Sequence, residues 1–100
     1  MSAEDLSTWL SGRKPAAPEA LAGRIADAVG NEAGAPPRTL AMLGARLLDR
    51  VAAATTQDRR QALDLLAADA LVTYAFEAQA EADVRGLTTL AERISKEGQA

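Results

Sequence analysis

Leu63-Asp64-Leu65-Leu66-Ala67-Ala68-Asp69-Ala70-Leu71-Val72-Thr73-Tyr74-Ala75-Phe76 carries more structural information than any other part of this 100-residue chain. At about 100° per residue, its leucines, alanines, Val72, Tyr74 and Phe76 spread around most of a helical wheel. In the middle of the helix only a narrow strip, marked by Asp69, Thr73 and Glu77 at i, i+4 and i+8, is polar. A helix that is apolar on nearly every side is a central, buried one. The pattern extends from about Asp58 to Ala82, the longest helix expected. A chain this short can hardly surround such a helix with its own elements. The fold class expected is therefore all-α, a bundle of four to five helices in a single domain, completed by oligomerisation. A homodimer built around Leu63 to Phe76 is the favoured form.

The preceding segment, about Arg38 to Ala54, has two apolar faces. Leu40, Leu43, Leu47 and Val51 form a ridge of large residues. Ala41, Gly44, Ala45, Leu48 and Ala52 form a mostly small face beside it, suited to a closely approaching neighbour. Thr55, Thr56 or Asp58 can cap the helix that follows. Upstream, Pro18 suits the start of a helix that carries Leu21, Ile25 and Val29 and ends at Gly30. Asn31 to Pro37, rich in Gly and Pro, reads as a loop. Near the N-terminus, Leu6, Trp9 and Leu10 share one stripe of a short helix from about Ser2 to Ser11, with Ser2 and Asp5 placed for a capping box. A last helix, from Asp83 or Gly86 to about Glu97, holds Val84, Leu87, Leu90, Ala91 and Ile94, with Glu92 and Lys96 spaced for an ion pair. The organisation is an amphipathic helix in 1–12, a linker in 13–17 and the bundle in 18–100. Strand signals are nearly absent.

Composition removes many functions. The chain has no histidine and no cysteine, which takes away the commonest general base and metal ligand together with thiolate chemistry and disulfides. Phosphate loops, nucleophile elbows and Glu-x-x-His metal motifs are also missing from the sequence. Hydrophobic residues make up 48% of the chain, but 24 of those 48 residues are alanine, so large core-filling side chains are few. Net charge is −3, which disfavours nucleic acid. No apolar run is long enough to cross a membrane, and the acidic start does not resemble an export signal. A cytoplasmic protein is expected. Nine arginines against two lysines, with abundant alanine, suggest a GC-rich bacterial source.

Charge is unevenly spread. Residues 38–60 carry five arginines against Asp49 and Asp58, and residues 61–83 carry five acids and no base. Arg46 and Arg50, one turn apart, are candidates for a charge-complementary surface that sets the register of a partner. Leu6, Trp9, Leu10, Leu63, Leu71, Val72, Tyr74 and Phe76 are candidate interface residues. The N-terminal helix is too short to stand alone. It docks on its own bundle, on a dimer mate or in another protein's groove. Asp69, Thr73 and Glu77 are the candidate polar strip, either a solvent-facing side or a carboxylate line for a cation or small ligand. The function expected is a non-catalytic interaction, structural or accessory protein that self-associates, with no cofactor, no resident metal and no nucleic-acid or membrane partner. The alternative is a small-ligand or cation-binding bundle that uses the carboxylate strip.

The run from Leu66 to Glu77 resembles a core-helix stretch of the all-α isoprenoid diphosphate synthases. The likeness covers about a tenth of the chain. That family's paired Asp-Asp-x-x-Asp motifs do not occur in this sequence, so the resemblance implies a tightly packed helix and carries over neither activity nor site residues.

Overall fold

Two long helices whose small residues meet face to face organise the molecule. The computed structural model describes residues 3–14, 16–32, 34–55 and 58–99. Its elements are α1 (Ala3–Ser11), α2 (Glu19–Val29), α3 (Pro36–Ala53), α4 (Arg59–Asp83), a 3-10 turn (Val84–Gly86) and α5 (Leu87–Gln99). Among the described residues there is no strand. The Cα radius of gyration is 13.0 Å, about that of a folded chain of this length. No helix among the described residues is long and apolar enough to cross a membrane.

The boundaries follow local chemistry. Asp58 caps α4, its carboxylate accepting the Gln61 N–H at 3.0 Å, which relieves one of the unpaired donors of the first turn. Gly30 ends α2 at φ 53°, a conformation that costs glycine nothing. Pro18 is the residue before the first turn of α2 rather than within it. Pro36 and Pro37, expected in the loop, open α3 instead. Their fixed φ matches a helix start, where the missing N–H groups would lack partners anyway. Ser2, the proposed cap of α1, lies outside the described residues.

α3 and α4 form an antiparallel hairpin, joined by a short connection. Gly44 sits at its tightest point. A Cβ added there would lie 2.8 Å from Val72 Cγ2, 3.1 Å from Val72 N and 3.2 Å from Ala68 O. The small face read from the sequence is thus what lets the backbones approach, but it is buried only through Ala41, Gly44 and Ala45. Leu48 and Ala52, one and two turns further along, face out. The core gathers Leu6, Ile25, Val29, Leu40, Leu47, Leu71 and Leu90 with Ala67, Ala68 and Ala75. α5 contributes Leu90 fully and Ile94 in part, while Val84 and Ala91 are exposed.

Candidate functional site

The N-terminal helix docks on the C-terminal half of α4 in its own chain. Leu6 is completely buried in the core, and Trp9 and Leu10 pack against it. The Trp9 ring meets Tyr74 edge-on, centroids 6.3 Å apart and planes at 82°. The Arg13 guanidinium, from the linker, lies 3.8 Å over the Trp9 ring and donates to the Trp9 carbonyl at 3.3 Å. Glu81 completes the clasp, accepting from Arg13 at 2.5 Å and from Trp9 Nε1 at 3.2 Å. Those two donors, Arg13 first, hold the Glu81 carboxyl below its ordinary range. Glu77 lies 3.8 Å from Arg13 at the edge of the same cluster. Sequence reading did not single out Arg13 or Glu81. The available signals were Arg13 at i+4 from Trp9, a spacing that favours stacking on a helix end, and the surplus of acid on α4.

The other sequence candidates are scattered. Leu6 and Leu71 are wholly inside the protomer, and Val72 is pressed against Gly44. Leu63, Tyr74 and Phe76 are half-buried. Most of the residues read as an intermolecular surface therefore serve the chain's own core, because α1, α2, α3 and α5 together cover more of α4 than its length suggested. Arg46 and Arg50 do not pair with the acids of α4. Arg46 lies 3.8 Å from Glu97 on α5, and Arg50 has no ion-pair partner among the described residues. The reason is geometric: α3 and α4 meet through their small apolar faces, so their charged faces point apart. The α4 acids turn elsewhere, Asp64 to Arg24 of α2 at 2.5 Å and Glu81 to Arg13. Glu92 and Lys96 do not form the expected pair among the described residues.

Asp69, Thr73 and Glu77 all face solvent. Asp69 and Glu77 are about 12 Å apart along the helix. Among the described residues no group of three or more acids converges on a point. A cleft of about 400 Å³ opens under the clasp between α1, α2 and Tyr74, and one of about 710 Å³ lies between α3 and α5. The first is walled by Leu10, Ile25 and Val29. The second mixes Arg38, Arg93 and Lys96 with Glu92 and Glu97.

What stands out on the surface is apolar. Leu48, Leu65 and Leu66 are 45%, 48% and 54% exposed. Gly44 faces Ala68 and Val72, and the antiparallel hairpin therefore brings Leu48 level with Leu65, one turn nearer the connection. The three leucines share one end of the hairpin. Comparison with protein-family models, curated proteins and solved structures finds no match.

Proposed function

We propose that this chain is a non-catalytic helical protein whose work is association, a structural or accessory protein that assembles with further copies of itself. The exposed cluster of Leu48, Leu65 and Leu66 carries this reading. Single exposed leucines are ordinary, but neighbouring ones on two rigidly packed helices form a patch that association would remove from water. The core takes Leu6, Leu40 and Leu71 completely, whereas these three leucines are left about half in water. The absence of histidine and cysteine from the sequence supports binding over catalysis. The carboxylate strip gains no comparable support, because Asp69 and Glu77 stand apart on an open face and Glu77 lies beside Arg13.

Sedimentation velocity at micromolar concentration tests the proposal. The expected result is a species of at least twice the chain's mass. A compact monomer across that range overturns it. Thermal melts with a panel of divalent cations and metabolites supply the second arm. A stabilisation that Asp69→Asn with Glu77→Gln abolishes would favour a ligand-binding protein instead.

A further inference from the structure

Building on the self-association just proposed, we infer that the chain forms a two-fold dimer in which α4 crosses its copy antiparallel beside Leu65 and Leu66, with Arg59 of each protomer facing Asp69 of the other. The inference rests on how charge is arranged around the leucines. Arg59, Ala62, Leu65, Leu66 and Asp69 fall within about 120° of the helical wheel, and all five are exposed. Their order along the helix is base, small residue, two leucines, acid. Arg59 and Asp69 stand five residues to either side of position 64, about 7.5 Å each way along the axis. A two-fold axis at that level superposes the apolar centre on itself. It also carries each Arg59 onto the partner's acidic end and each Asp69 onto the basic one.

A two-fold interface must be self-complementary, since one patch meets its own copy. A patch with one charge sign on both flanks would repel itself. This one, reversed in direction, matches. A parallel pairing would set Arg59 against Arg59 and Asp69 against Asp69, and like charges so placed select against that arrangement. Neither Arg59 nor Asp69 has an ion-pair partner among the described residues, whereas Asp64, Glu77 and Glu81 on the same helix all lie close to an arginine. Leu48 of α3, level with Leu65, widens the apolar centre towards the neighbouring helix. Thr73 and Glu77 lie beyond the crossing and stay in water.

The lack of native cysteine makes the geometry directly measurable. Ala62→Cys places a thiol beside the axis, about 6 Å along the helix from its symmetry mate, whereas Thr73→Cys places the two about 27 Å apart. A short bis-maleimide is expected to cross-link the Ala62→Cys protein into dimers and to leave the Thr73→Cys protein monomeric on a denaturing gel. Arg59→Asp alone and Asp69→Arg alone are expected to weaken dimerisation about tenfold by sedimentation equilibrium, with the two combined in one chain restoring it. Far-UV circular dichroism of each variant checks that the helices are intact. A monomeric wild-type chain overturns both this geometry and the self-association on which it rests. A dimer that cross-links through Thr73→Cys, or that the charge reversals leave unchanged, overturns the geometry alone.

Discussion

At Gly44 a single hydrogen atom in place of a side chain sets how near the two longest helices come. The nearest obstacles to a Cβ include the Val72 backbone N and the Ala68 carbonyl oxygen, which cannot rotate aside as a long side chain would. Gly44→Ala is expected to force α3 and α4 apart and to cost about 1–3 kcal/mol in urea unfolding. Gly23, in the middle of α2, is the contrast. Nothing lies within 4 Å of the position its Cβ would take, and a mid-helix glycine carries an entropic cost. Gly23→Ala is expected to stabilise by about 0.5–1 kcal/mol in the same measurement. Glu81 is the residue where pH acts. Its carboxyl is held below the ordinary glutamate value by the hydrogen bonds from Arg13 and Trp9. A depressed folded pKa gives stability that is present above the unfolded value and is lost as pH falls through the folded one. The clasp is therefore expected to hold at neutral pH and to loosen on acidification below about 4.5. The emission of Trp9, the sole tryptophan, reports it, and Glu81→Gln should flatten that acid transition.

Taken as elements, α1 and α4 differ in what holds them. α1 has nine residues, too few to persist alone in water, so its helicity depends on Leu6 in the core and on the Trp9–Arg13–Glu81 cluster. Arg13→Ala removes the cation over the ring and the partner of Glu81 together. It is expected to shift Trp9 emission to the red and to lose less ellipticity than a core substitution such as Leu71→Ala, because the α3–α4 hairpin does not rely on it. The elements themselves were legible in the sequence, since periodicity and caps act within a few residues of each other. Asp58 and Gly30 stand at helix ends where their chemistry places them. The entries are less legible: α2 begins one residue after Pro18, and Pro36 and Pro37 open α3 because two prolines suit a loop and a first turn equally. The clasp was not legible. Arg13 and Glu81 are 68 positions apart, and no local pattern records which turn of α4 an N-terminal helix will reach. Nor could the wheel of α4 say which leucines end outside. Leu65, Leu66 and Leu71 look alike in sequence. Their fates separate only once α2, α3 and α5 have taken sides.

For the molecule as a whole, the question is how its stability depends on its own concentration. A chain that unfolds as a monomer melts at one temperature whatever the dilution. A chain stabilised by a copy of itself melts higher as concentration rises, because association draws the folded state forward by mass action. The exposed leucines at one end of the α3–α4 hairpin are the surface through which that coupling would run. Their removal should separate two quantities that are otherwise entangled. Leu65→Ser and Leu66→Ser together touch side chains that are already about half in water, so the protomer's own core loses little. The expected outcome is a wild-type melting temperature that climbs over a hundredfold range of concentration and a double variant whose melting temperature stays flat, near the dilute wild-type value. If the variant instead melted far below dilute wild type, the two leucines would belong to the protomer's core energetics, and the patch would lose its standing as an interface.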